Sequence, residues 1–368
     1  MDVGMLSVFQ AGLGQNLTDL EVYKQNLRIC DLVEPLGLDS IWAAEHHFTD
    51  YTMCPSVTEF LAYMAGRTQR IKLGTAVLIL PWHKDPGRTA VEMAMLDNLS
   101  DGRALMGFGR GIGRVEYDGF GIPMEESRAR FDEAAQIIIQ GLETGIIEYD
   151  GKYFKQERRE LRPRPFKPFK DRLYMACQSP DSADVVADLG ATMMIFAISP
   201  WESRAKDVER YRARYRKSQG KEPPPIIANI FCVCDEDEAR AEAMAHKYMH
   251  DYWISALDHY EMDGTHFSDK KVYDFYAKSA AIMRNRGRES VAELFTNNQV
   301  HGTPEQILRR LEWVREMAGP MNLNVSFSFG GMPFDYAERS MRLFSREVLP
   351  ELHQWSCEPP GWRAKASA

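Results

Sequence analysis

Two adjacent imidazoles and a carboxylate stand where an apolar run gives way to polar residues, in Trp42-Ala43-Ala44-Glu45-His46-His47-Phe48-Thr49-Asp50. Imidazole changes charge near neutral pH, so a histidine at a strand end suits general acid–base work. Side chains alternate along a strand, which sends His46 one way and Glu45 and His47 the other. The three therefore do not converge on one metal ion, and no metal is expected. Proton transfer is the chemistry that this spacing supports.

A second set of residues suits an anion. Gly107-Phe108-Gly109-Arg110-Gly111-Ile112-Gly113 repeats glycine at every second position, which brings backbone amides close to a ligand while Arg110 offers a planar fork to a phosphate. No register of it gives G-x-G-x-x-G, and it follows the fourth predicted strand instead of the first, so a Rossmann site is disfavoured. Ser127-Arg128 opens the next helix, and Gln178-Ser179-Pro180-Asp181-Ser182 opens another whose free amides and dipole favour an anion. A serine at a helix start also serves as a simple cap. Two arginines and a serine-bearing helix start on successive loops of one face make the case for a phosphate site.

Such residues need a scaffold that delivers strand ends to a common face. Apolar runs of strand length alternate with segments of helical period, and predict strands over Val3 to Gln10, Asp39 to His47, Ile71 to Leu80, Arg103 to Gly109, Leu173 to Gln178, Thr192 to Ser199, Ile226 to Cys234 and Leu323 to Phe329. Helix starts are marked by Thr18-Asp19, Ser56 with Glu59, Ser179-Pro180-Asp181, Pro200-Trp201-Glu202, Asp235-Glu236 and Thr303-Pro304-Glu305. Eight strands with intervening helices predict an α/β fold of the closed (β/α)₈ TIM-barrel type, not a doubly wound open sheet. One domain is expected over residues 1–368, with insertions near 145–172 and 258–290. The first reads as a hairpin about an Asp150-Gly151 turn followed by a Pro/Arg connector. The second lacks clean helical periodicity and has the length of a lid.

The chain of 368 residues is 44% hydrophobic and 11% aromatic, enough for a large core, and its net charge of -8 argues against a nucleic-acid surface. The cluster Arg158, Arg159, Arg162, Arg164, Lys167, Lys170 and Arg172, interleaved with prolines, reads as a solvated connector. Cys30, Cys54, Cys177, Cys232, Cys234 and Cys357 show no metal-type or redox spacing, so reduced and mostly buried thiols are expected. No segment is apolar enough to span a membrane and the N-terminus starts directly as a strand, which predicts a cytoplasmic protein.

The runs Glu45-His46-His47-Phe48-Thr49, Gly74-Thr75-Ala76-Val77-Leu78-Ile79-Leu80-Pro81, Leu96-Asp97-Asn98-Leu99-Ser100-Asp101-Gly102-Arg103, Arg110-Gly111, Ser127-Arg128-Ala129 and Gly302-Thr303-Pro304-Glu305, in this order, resemble the bacterial luciferase-like flavin-dependent monooxygenases. The pattern is nearest to that of the luciferase alpha subunit. The resemblance implies a (β/α)₈ barrel that takes reduced FMN (FMNH₂) from a separate NAD(P)H:flavin reductase and adds O₂ at the flavin C4a position. One oxygen then enters a small apolar organic substrate of the aldehyde, ketone or terpene type. A homodimer is implied as well. His46 matches the catalytic histidine, and Ala76-Val77 matches a non-prolyl cis peptide behind the isoalloxazine. Arg110, Gly111, Ile112, Arg128, Gln178, Ser179 and Ser182 fall in the segments that hold the flavin, mostly its phosphate.

Two positions depart from the luciferase pattern: Gln178 stands in place of a carboxylate and Gly109 in place of a cysteine. An F420-dependent oxidoreductase of the same superfamily and a non-catalytic flavin-binding partner subunit are the alternatives. The match around Arg110 and Ser127-Arg128 is to the FMN-using branch, and a non-catalytic subunit would lack His46. The chemistry needs a dry pocket and a lid. Trp42, Phe108, Tyr117, Phe196 and Trp201 lie at or near strand ends, and some of them are expected to line that pocket while the others fill the core.

Overall fold

The computed structural model describes residues 1–10, 13–359 and 362. Its strands are β1 (Val3–Ser7), β2 (Ser40–Ala43), β3 (Lys72–Thr75), β4 (Leu78–Ile79), β5 (Ala104–Gly109), β6 (Ile146–Asp150), β7 (Lys155–Glu160), β8 (Leu173–Ala176), β9 (Thr192–Phe196), β10 (Ile226–Cys234), β11 (Val300–Gly302) and β12 (Met321–Ser326). Eight of them close a parallel barrel in the order β1-β2-β3-β5-β8-β9-β10-β12, with β12 returning to β1. Helices cover the outside and side chains fill the inside, so every residue of β5 and β10 is buried. The closed barrel is the architecture that the alternating pattern predicts.

Most strands end sooner than their apolar runs do, β5 and β10 excepted. β1 stops at Ser7 and β2 at Ala43, so Glu45 and His46 lie in the loop beyond the strand. The run from Ile71 to Leu80 divides into β3 and β4 about the Ala76-Val77 peptide, which is cis. β11 was not expected from the sequence: its three residues pair with Cys232–Cys234 and are too few to show a period.

Thr18 and Thr303 close capping boxes with Glu21 and Gln306, and Ser56 caps its helix through Glu59. Asp237, not Asp235, caps the helix Glu238–Tyr260. Asp235 instead accepts from Arg240 and Tyr336.

β6 and β7 form the expected antiparallel hairpin outside the barrel. Arg158 and Arg159 lie in β7 itself, and Arg162, Arg164, Lys167 and Lys170 after it are exposed, but Arg172 is not part of a solvated run. It is buried, and donates to both oxygens of Asp97 at 2.5 and 3.0 Å. The second insertion is more ordered than its sequence pattern suggests. Residues 261–270 form the loop, followed by the helices Asp274–Arg286 and Arg288–Asn298. The first of these buries only Ala280, so it has no apolar stripe by which to be read.

The six cysteines are free and all but Cys357 are buried. Among the described residues no helix is long and apolar enough to cross a membrane.

Candidate active site

His46 is held in the loop after β2 by a residue from the loop after β5. Its Nδ1 lies 3.1 Å from Glu116 Oε1, and the same oxygen accepts the backbone N–H of His47 at 2.9 Å. Glu116 is 1% exposed and rides on the short helix Arg114–Phe120. Burial pushes its pKa up, but His46 and His259 pull it further down, to about 2. The second oxygen of Glu116 is 3.5 Å from His259 Nε2, and His259 Nδ1 meets Thr49 Oγ1 at 2.7 Å.

Glu45 and His47 turn to the other side, as strand alternation predicts. Glu45 accepts from His47 Nε2 at 3.0 Å, Trp82 Nε1 at 2.8 Å, His83 Nε2 at 3.0 Å and the Ile79 amide at 2.9 Å. Burial opposes its ionisation, yet His83 and these donors hold the carboxyl well below the usual range. This carboxylate fixes the chain that follows the cis peptide. The two carboxylates thus divide the labour: Glu116 serves His46, and Glu45 ties down the adjoining loop.

With Glu116 ionised, the proton of a neutral His46 belongs on Nδ1, where the carboxylate accepts it. Nε2 is then the basic atom. That arrangement suits a general base whose ring is oriented by a carboxylate. His46, Glu116 and His259 also offer ligand atoms within 4.8 Å of one another, a spacing that a metal ion would accept. Strand alternation argues against a metal only for Glu45, His46 and His47; His46, Glu116 and His259 come from separate elements that the fold brings together.

The cavity beside His46 has an empty volume of about 1250 Å³ with its mouth included. Ala76, Val77, Gly109, Gly111, Ile112, Arg110, Arg128, Gln178 and Ser182 all line it together with His46. Ser179 does not; its hydroxyl lies behind, 2.8 Å from Ser182 Oγ.

Arg128 Nη1 and Gln178 Oε1 are buried without a hydrogen-bond partner among the described residues. Burial first, and then the neighbouring Arg110, push the Arg128 pKa down. Arg110 donates to the Val272 carbonyl at 2.8 Å and lies 4.5 Å over the Tyr273 ring, so the second insertion holds it in place. Two crowded guanidinium groups with an unused buried N–H fit a bound phosphate, which would supply the missing acceptor.

Gly109 has a steric reason for not being the cysteine of the luciferase pattern. A Cβ there would lie 2.8 Å from Val77 Cγ2. At Gly111, where φ is +71°, a Cβ would lie 2.6 Å from Ile79 Cγ2. Bare backbone lets the end of β5 pack against the segment after the cis peptide.

Of the five aromatic residues from which part of the lining is expected, Phe196 lines the cavity and the other four belong to the core. Trp42 fills the barrel interior over Gly74 and meets Tyr174 edge-on at 4.9 Å. Phe108 packs on Phe131, the Tyr117 hydroxyl donates to the Arg110 carbonyl, and Trp201 is fully buried away from the cavity. Tyr51, Trp82, Tyr252, Tyr260 and Tyr276 take their place. Glu116, His259 and Tyr260 are the functional candidates that sequence reasoning missed. They come from a seven-residue helix and from the end of a long one, and only the fold brings them to His46.

A family model described as luciferase-like monooxygenase matches residues 1–319. The alkanal monooxygenase alpha chain of Photobacterium leiognathi is 25% identical over 340 residues, covering 90% of this chain and 94% of that one. Monooxygenase RslO1 of Streptomyces bottropensis superposes with a TM-score of 0.76 at 26% identity, over 96% of this chain and 100% of that one. The oxygenating constituent of 3,6-diketocamphane monooxygenase from Pseudomonas putida, solved in complex with FMN, shares the fold with a TM-score of 0.74 at 16% identity, over 95% and 98% of the two chains. The barrel, the residues gathered at its mouth and a family match that spans most of the sequence agree: the chain belongs to the luciferase-like monooxygenase family.

Proposed function

We propose that this protein is the oxygenase component of a two-component monooxygenase that receives FMNH₂ from a separate reductase and oxygenates a small apolar organic substrate. The observation that carries the proposal is one cavity holding both a cationic pair with an unsatisfied buried N–H, Arg110 and Arg128, and the His46–Glu116 dyad. FMNH₂, when bound, supplies the two electrons by which one atom of O₂ enters the substrate and the other leaves as water. Arg110 and Arg128 would hold its phosphate, helped by Ser182. Ala76, Val77 and Ile112 would pack against its ring, and Gln178 would offer its amide to a polar edge. His46 acts as the base that takes up and returns the proton of the reaction, with Glu116 orienting its ring. The tyrosine- and phenylalanine-rich remainder of the wall excludes water and favours an apolar substrate of aldehyde, ketone or terpene type.

Binding discriminates the phosphate assignment. Arg110→Ala is expected to weaken FMN binding by about 1.5–3 kcal/mol, the range for a hydrogen bond to a charged group. Riboflavin, which lacks the phosphate, should bind both proteins alike. Equal losses for FMN and riboflavin in a fluorescence titration would reject the assignment. Oxidation of the reduced 5-deazaflavin F420 in preference to FMNH₂ would turn the reading towards the F420-dependent branch.

We also infer a homodimer. The helices Val57–Ala65 and Pro86–Leu99 leave Tyr63, Met95 and Leu99 about half exposed, an apolar face that a second copy would cover. Light scattering is expected to give twice the 42.1 kDa of one chain; a monomer mass at micromolar concentration would refute it.

A further inference from the structure

Three consecutive residues at the C-terminal end of the helix Glu238–Tyr260 reach the dyad from the side of the second insertion, each to a different partner. His259 is buried with Nε2 3.5 Å from Glu116 Oε2. The Tyr260 hydroxyl is 3.0 Å from His46 Nε2, and Tyr260 lines the cavity. Glu261, the left-handed cap of the helix, pairs with Arg114, the first residue of the helix that carries Glu116. Neither Glu116 Oε2 nor His259 Nε2 has a closer hydrogen-bond partner among the described residues. The working nitrogen of His46 is therefore not open to the cavity; a hydroxyl stands on it.

We propose that Tyr260 is the group through which His46 exchanges protons with the occupant of the cavity, and that His259 is the positioning residue that holds Glu116 for it. The proposal rests on His46 being the base of the proposed function. It adds a catalytic hydroxyl and makes the dyad complete only when the end of this helix, and the loop 261–270 that continues it, are seated.

The direction of each hydrogen bond follows from the ionised Glu116. One oxygen accepts His46 Nδ1–H and the other faces His259 Nε2–H, which leaves His259 Nδ1 to accept from the Thr49 hydroxyl. His46 Nε2 then carries no proton and accepts from Tyr260. An acid in the cavity gives its proton to Tyr260 Oη while the Tyr260 O–H bond breaks and that proton passes to His46 Nε2. The imidazole becomes imidazolium beside an unchanged Glu116 carboxylate, and Tyr260 is a neutral phenol before and after. The reverse transfer returns the proton to the product. Burial raises the Tyr260 pKa well above its usual value, in keeping with a phenol that never rests as an anion. Burial also lowers that of His259, in keeping with a neutral imidazole.

Two arms test this, one of them independent of cofactor and turnover. In the cofactor-free wild-type protein, nitrogen-15 NMR of the His46 ring is expected to show Nδ1 protonated and Nε2 bare and hydrogen-bonded. Tyr260→Phe should shift the Nε2 resonance to that of a free acceptor and leave Nδ1 in place. A proton found on Nε2 in the wild type would overturn the proposal.

In turnover with FMNH₂, O₂ and a substrate that the wild type oxygenates, Tyr260→Phe should keep FMN affinity and lose product by about tenfold or more, with the lost oxygen recovered as H₂O₂. This is the lower end of what a positioned acid–base group contributes. His259→Leu should lower product yield as well, and His259→Gln, whose amide N–H can stand in for Nε2–H, should restore most of it. Full coupling in Tyr260→Phe would reject the relay, as would equal failure of the Leu and Gln variants for the role of His259. Co²⁺ bound by the wild type with a visible absorption band that His259→Gln abolishes would also overturn it, because a metal would then occupy the places of both imidazole protons. A wild type that binds no FMNH₂ would refute the proposed function, while the NMR arm would still decide the hydrogen bonding of His46.

Discussion

His46→Ala is expected to bind FMN as the wild type does, consume FMNH₂ and O₂, and release H₂O₂ in place of product, with product formation reduced by about 10²–10⁴-fold. The imidazole lies against Glu116 and Tyr260, while the cationic pair is made of Arg110 and Arg128, so its loss should spare binding. His47→Ala should do less to coupling. Its ring nitrogen is committed to Glu45, a carboxylate that also holds Trp82, His83 and the Ile79 amide, and its loss leaves three of those four contacts. The measurement is product and peroxide yield per FMNH₂ for each variant, beside FMN affinity. Unchanged coupling in His46→Ala would remove it from the catalytic machinery. Equal losses in both variants would mean that the adjoining loop, and not the His46 base, is what the reaction needs.

The contrast between these neighbours was legible before any fold was known. Alternation along the end of β2 separates His46 from Glu45 and His47, and the separation persists into the loop because each side has its own buried carboxylate to bind. The barrel was legible for a similar reason: strands buried on both faces, such as β10, read as unbroken apolar runs between helical periods. The glycine-rich end of β5 and the serine-bearing helix start announced closely packed backbone at one face, and Gly109, Gly111 and Ser182 do line the cavity.

What the sequence hid is what depends on elements meeting. Glu116 sits in a helix too short to show a period, and nothing local distinguishes it from a surface acid such as Asp118. His259 and Tyr260 end a helix whose destination is set by the packing of the second insertion, and that insertion buries too little of itself to display a stripe. Which of the five aromatic residues reaches the pocket is hidden in the sequence because position along a strand does not tell inward from outward in a barrel with two buried faces. Trp42 points into the core and Phe108 towards the helix layer.

Arg172 shows the same limit from the side of stability and carries the second large effect. In sequence it closes a basic, proline-rich connector, yet Asp97, a fully buried residue of the helix Pro86–Leu99, draws it inside. The guanidinium makes a two-pronged bond to Asp97, donates to the carbonyls of Ala104 and Lys167, and stacks 3.9 Å over the Phe169 ring. Asp97 also accepts the Lys167 amide at 3.3 Å, so one ion pair joins the helix, the start of β5 and the connector that leads into β8. Asp97→Ala leaves a buried cation without its counter-charge, and is expected to cost about 3–5 kcal/mol of folding stability in chemical denaturation. Replacing both partners, Asp97→Ala with Arg172→Met, should recover a large part of that loss, because the penalty lies in the uncompensated charge and not in the absence of the bridge. Neither residue lines the cavity, so FMN affinity of the folded fraction should not change. A single variant as stable as the wild type would show that Arg172 can swing out to solvent with the rest of the connector. A double variant no better than the single would place the loss in the packing of the Asp97 site instead of in the stranded guanidinium.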